Sequence, residues 1–238
     1  MSVPRPGPPS RWATAGEALA GLEALRLAAK TPSLWAAPSG DGGPVILTPG
    51  LGATDRSLLP LRRFLRDKRH DARSAGFGRI HLDVPALAEL LVQLSATVAA
   101  ERGRKVALVG WSLGGVLSRE TARRRPDLVE RVITFGTPVA GGPAHTAFGR
   151  RYTPAELERI DRIGRQRRAS PIEVPITAIW SRRDGVVAPR ACIDDVSPDV
   201  ENVEVSSTHL GMGIDPDVWL IVARRLARSR GTSGTTKG

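Results

Sequence analysis

Two apolar patterns alternate along the 238 residues. Short continuous runs rich in Val, Ile and Leu read as strands buried on both faces. They cover residues 44–48, 105–109, 131–135 and 174–180, with a weaker one at 200–205. Between them, apolar residues recur at helical spacing over 58–68, 84–102, 116–124 and 215–228. The second of these is the strongest, with Leu87, Leu90, Leu91, Leu94 and Val98 on one side. A helix is also expected over 14–30, with Thr14 and Glu17 as a capping box and Pro32 as its stop. Residues 70–78 read as a short strand and a loop. Strands alternating with helices predict an α/β fold: a mostly parallel sheet with helices on both faces.

The pattern has no internal repeat and no second domain. Residues 1–13, rich in proline, are expected to be disordered, and 231–238 to form a flexible tail. Residues 14–230 then make one domain. Within it, 139–173 is long for a strand-to-helix connection and reads as a small helical cap or lid, with a helix at 154–166.

Composition narrows the chemistry. One cysteine, Cys192, excludes a disulfide within the chain and reads as a small half-buried side chain. No Cys/His cluster has zinc spacing, and nothing calls for a cofactor. The formal charge of +11 is carried by basic residues scattered along the chain, without a nucleic-acid motif or an aromatic stacking platform. Nucleic acid is therefore not an expected partner; peripheral contact with a membrane surface stays open. No stretch reads as long and apolar enough to span a bilayer, and the N-terminus lacks the core of a secretory signal, so the expected location is the cytoplasm. The oligomeric state is left open.

The candidate chemistry lies at Gly110-Trp111-Ser112-Leu113-Gly114-Gly115. It follows a buried-strand run and precedes a helical one. Strand, glycine-flanked serine and helix are the context of a nucleophile elbow, which holds the serine on a strained turn at the sheet's edge. The Leu113 N–H then sits at a helix N-terminus, where it can stabilise an oxyanion. A serine nucleophile needs a base, and the base needs an orienting carboxylate, in the chain order serine, acid, histidine. Only His145 and His209 follow Ser112. His209 stands between the last strand and the last helix, where the base belongs, whereas His145 falls in the lid. His70 and His81 read as surface residues. Asp184 directly follows the strand ending at Trp180 and is the expected acid; Asp194 and Asp195, further into the loop, compete with it. Gly50-Leu51-Gly52, after the first strand, offers the Leu51 N–H as a second oxyanion donor.

These residues resemble the α/β-hydrolase superfamily, and within it the bacterial lipase/esterase-like branch. The carriers are Thr48-Pro49-Gly50-Leu51-Gly52, the Ser112 elbow, Phe135-Gly136-Thr137-Pro138, the segment from Trp180 through Asp184 to Val187, and Ser207-Thr208-His209-Leu210-Gly211-Met212. Their order and spacing match over residues 44–228. Pro49-Gly50 stands where many lipases carry His-Gly. The resemblance implies an eight-stranded type of sheet or a trimmed version of it. It also implies hydrolysis of a carboxylic ester, a small-molecule acyl substrate, through an acyl-enzyme on Ser112, His209 and Asp184. Two alternatives stay open: acyl transfer or thioester cleavage by the same residues, and a non-catalytic binding module on this scaffold.

Overall fold

The computed structural model describes residues 22–139, 146–147 and 153–227. Among them six strands form one parallel sheet: β1 (Pro44–Thr48), β2 (Asp71–Ser74), β3 (Val106–Trp111), β4 (Val129–Phe135), β5 (Ile176–Ser181) and β6 (Val200–Val205). Their spatial order is β2-β1-β3-β4-β5-β6, and every neighbouring pair is parallel. The order reverses direction between β1 and β3. In open α/β sheets, ligands bind beyond the carboxyl ends of the strands at such a switch point.

The helices are α1 (Leu22–Ala29), α2 (Thr31–Trp35), α3 (Leu59–Asp67), α4 (Val84–Arg102), α5 (Leu113–Arg124), α6 (Pro154–Ala169) and α7 (Pro216–Leu226). Alternate residues of the strands feed two cores, because successive side chains point to opposite faces. Val45, Leu47, Val109, Phe135 and Ile179 pack with Leu34 of α2, Leu61 and Leu65 of α3, and Val218 and Val222 of α7. On the other face Ile46, Val106, Leu108, Val132 and Ile176 pack with Leu87, Leu91 and Val98 of α4 and Leu117 of α5. The central strands β1 and β3 are buried throughout, which is why they read as unbroken apolar runs.

Several local expectations are corrected. The N-terminal helix ends at Ala29, before Pro32 as expected, but the chain turns helical again at once: Pro32 lies in the first turn of α2, where its missing N–H would have had no partner. The expected start of that helix at 14 and both terminal segments lie outside the described residues. The lid helix runs to Ala169, three residues beyond the expected end at 166. By length and composition α4 could cross a membrane, contrary to the sequence reading. Here Leu87, Ala88, Leu91, Ser95 and Val98 bury its inner side in the second core. His70 is buried, not at the surface. Gly40 lies against its ring, so close that a Cβ there would come within 2.2 Å of Cε1. Cys192 is fully buried in place of half-buried, packed with Val187, Ala188 and Ala191.

Candidate active site

The turn from β3 into α5 puts Ser112 at φ 53° and ψ −119°, a region that side-chain-bearing residues rarely occupy. Neighbouring groups hold it there. The Ser112 N–H donates to Phe135 O at 2.9 Å, and its carbonyl accepts from Gly115 N and from Thr137 Oγ1, each at 3.0 Å. Gly114 lets α5 start against the end of β1: a Cβ at this position would sit 2.1 Å from Thr48 O. No other residue type fits such an approach without moving backbone.

Asp184 follows β5 on a tight turn and is 1% exposed. Its Oδ1 accepts from the N–H groups of Val186 at 2.9 Å and Val187 at 2.7 Å. That leaves Oδ2 for His209, whose Nδ1 lies 2.8 Å away. His209 is buried on the loop after β6. The Thr208 side chain accepts from Gly211 N at 3.2 Å, which starts a short 3-10 turn over Gly211–Ile214. Asp215 then caps α7 by accepting from Asp217 N and Val218 N, and Arg26 of α1 donates to it at 3.0 Å. The histidine loop is therefore anchored just beyond its far end.

Ser112 and His209 converge on the end of β4. Phe135 and Thr137 hold the Ser112 backbone, and Gly136 between them backs the imidazole: a Cβ on Gly136 would meet His209 Nδ1 at 2.8 Å. The Trp111 ring adjoins both, with its centroid 5.9 Å from that of His209. The Gly50 turn packs on the same serine, where a Cβ on Gly50 would lie 3.1 Å from Ser112 Cβ. The N–H groups of Leu51 and Leu113 have no hydrogen-bond partner among the described residues. Three exposed leucines, Leu51, Leu82 and Leu210, stand on loops at this edge of the molecule.

The rival carboxylates are placed elsewhere. Asp194 pairs with Arg119 at 2.6 Å, and Asp195 is exposed. His145 lies outside the described residues. Burial, and then the nearby Asp184 carboxylate, push the Cys192 thiol pKa up, so its thiolate is suppressed. The lid's first described residues are tied to the acid loop: Val139 N donates to Ala191 O at 2.7 Å, Ala147 N to Val186 O at 2.8 Å, and Thr146 bridges to Val187. Sequence reasoning missed the Trp111 ring, Gly136 and Thr137 as supports of the site; the Phe135-Gly136-Thr137-Pro138 motif was their visible trace. A groove of about 590 Å³ between α2, α3 and α7 is lined by Trp35, Phe64 and Trp219 and by none of the candidate residues. Among the described residues no cluster of three or more His, Cys, Asp or Glu side chains is placed to hold a metal ion.

No protein-family model matches the sequence. A triacylglycerol lipase from Burkholderia plantarii is 34% identical over 141 residues, which cover 55% of this chain and 39% of that protein. The match thus spans well under half of the curated relative. Among solved structures, a metagenome-derived lipolytic enzyme described with LipS and LipT superimposes with a TM-score of 0.61 at 19% identity, covering 80% of this chain and 94% of the other. Bacillus licheniformis lipase BlEst2 in its mature form gives 0.61 at 16%, covering 81% and 94%. The chain has the α/β-hydrolase fold.

Proposed function

We propose that this α/β-hydrolase-fold protein is a serine hydrolase of carboxylic esters. The observation that carries the reading is the buried contact between Asp184 and His209, set beside a serine in the backbone conformation of a nucleophile elbow. The lipases and lipolytic enzyme it resembles support the same class. Ser112 Oγ attacks the acyl carbonyl. Because Nδ1 of His209 faces Asp184, Nε2 is the nitrogen that takes the serine proton and passes it to the leaving alcohol. Asp184 is in place to hold the tautomer and stabilise the imidazolium; its other oxygen is fixed by two N–H groups, so it cannot turn away. The Leu113 and Leu51 N–H groups receive the oxyanion, each worth about 3 kcal/mol of barrier in comparable sites. Water then attacks the acyl-enzyme by the same proton path in reverse.

The test is hydrolysis of p-nitrophenyl esters from acetate to palmitate by wild type, Ser112→Ala and Asp184→Asn, with a fluorophosphonate label on each. Wild type should turn over and label; Ser112→Ala should do neither. Asp184→Asn keeps an acceptor for the Val186 and Val187 N–H groups but offers His209 an amide, so the fold should persist while kcat falls by about 10⁴. Undiminished turnover by Ser112→Ala would exclude the mechanism.

A further inference from the structure

The groove between α2, α3 and α7 takes no part in the reaction proposed for Ser112. One helical face builds its longest wall. Arg56, Leu59, Pro60, Arg63, Phe64 and Asp67 recur at spacings of three and four residues, from the short 3-10 turn Asp55–Leu58 through α3. Lys68 closes the row, and Leu34 and Trp35 of α2 and Trp219 of α7 belong to the other walls. Trp219 stacks on Phe64 with ring centroids 5.3 Å apart, and its Nε1 donates to Gly213 O at 3.1 Å. The polar atom of this indole is thus satisfied inside the protein, and carbon is left for the groove. At about 590 Å³ the groove falls within the size of small-ligand sites, roughly 300–1,000 Å³.

Charge gives the groove a direction. The stretch from Asp55 to Asp67 carries four arginines. Arg62 Nη1 donates to Ser74 Oγ and Arg66 Nε to Ala72 O, each at 2.8 Å. Arg56 and Arg63, the two that line the groove, have no hydrogen-bond or ion-pair partner among the described residues. At the other end Asp67 and Lys68 offset one another in charge, and Lys68 Nζ donates to Trp35 O at 2.5 Å. Trp35, 80% exposed, is the most exposed large apolar side chain among the described residues. A lone exposed indole is ordinary. An indole at the neutral end of an apolar groove whose other end holds two unpaired guanidiniums matches an alkyl chain with an anionic head. The protein itself offers no such anion: residues 1–21 carry Arg5 and Arg11 against Glu17, and a second copy would bring another formal charge of +11.

We propose that this groove binds a single-chain amphiphilic anion, a long-chain carboxylate or alkyl phosphate, with its head on Arg56 and Arg63 and its chain running over Phe64 and Trp219 toward Trp35. The proposal is independent of the reading of Ser112. The full chain should be titrated with decanoate, decyl phosphate, decanol and decyltrimethylammonium, each below its micelle concentration, by calorimetry and tryptophan fluorescence. These probes share one alkyl chain and differ in the head. The anions should bind about threefold to thirtyfold more tightly than decanol, the effect of two exposed ion pairs, and the cation should bind more weakly than decanol. The tighter anion identifies the head group. Arg56→Gln/Arg63→Gln should abolish the preference and leave decanol binding unchanged, whereas Trp35→Ala should weaken the anions and decanol by the same factor. All three replaced side chains are exposed, so circular dichroism should show an unchanged fold. No heat with either anion, equal affinity for all four probes, or a preference that survives in the double glutamine variant would overturn the proposal. So would two results that assign the face to another occupant. Vesicles of phosphatidylglycerol that bind the protein through Arg56 and Arg63, with no binding of the monomeric probes, would mark a membrane surface. A dimer in sedimentation that Trp35→Ala dissociates would mark a second copy.

Discussion

Replacing Ser112 by glycine and by alanine separates backbone strain at the elbow from side-chain chemistry. At φ 53° and ψ −119° the residue has the geometry of the first central position of a type II′ turn, which belongs to glycine. Holding a Cβ there costs about 1–3 kcal/mol. Both variants lack Oγ, so whatever the hydroxyl contributes cancels between them. Alanine keeps the strain and glycine releases it. Against this, glycine gives the unfolded chain more freedom, about 0.5–1 kcal/mol. The difference leaves Ser112→Gly more stable than Ser112→Ala by up to about 2.5 kcal/mol, or a few degrees in Tm for a chain of this size. In ordinary helix or strand geometry the sign is opposite, so the sign alone is diagnostic. Urea unfolding followed by the fluorescence of the five tryptophans measures it. If the glycine variant unfolds at lower urea than the alanine variant, with equal m-values, the elbow stores no strain and the argument fails. Neither variant should hydrolyse an ester.

Two further outcomes follow from the same geometry. Gly136→Ala puts a Cβ 2.8 Å from His209 Nδ1 at a backbone φ of +57°; the displaced imidazole should lower kcat on p-nitrophenyl esters by about 10²-fold. Near-UV circular dichroism should still show a folded protein, and an unchanged kcat would remove His209 from the reaction. The Arg119–Asp194 pair should set part of the acid sensitivity. Its carboxylate titrates at about 2 in the folded state instead of an ordinary 3.8, so the stabilisation is complete above 3.8 and is lost as pH falls through about 2. That shift is worth about 2 kcal/mol. The stability gap between wild type and Asp194→Asn, read from urea unfolding, should narrow over this range; a gap independent of pH would contradict the assignment.

What was legible in the chain was what is local. The elbow announces itself because a strained turn needs glycines within two residues of the serine, and because the strand before it is buried on both faces and so reads as one apolar run. The two-faced sheet followed from the same kind of signal. By contrast, β2 is Asp71-Ala72-Arg73-Ser74, with Ala72 alone buried; a short strand was readable within 70–78, but its place beside β1 comes from backbone pairing. No residue-type pattern carries that information. The choice among carboxylates shows the same limit at the site. Asp184 and Asp194 both follow β5 on glycine- or proline-bearing loops, and sequence ranks them only by distance from the strand. Their separation in space is decided by partners far along the chain: Asp184 faces a histidine 25 residues on, and Asp194 an arginine 75 residues back. The buried His70 has the same cause, since Gly40, thirty positions earlier in the numbering, closes over it. Pairings of this kind depend on the finished parallel sheet, which gathers the segments before β1 and β2 at one edge and those after β5 and β6 at the other. That is also why Arg119, which reads in the sequence as one more basic residue on a basic chain, becomes the buried partner of Asp194 only once its neighbours are in place.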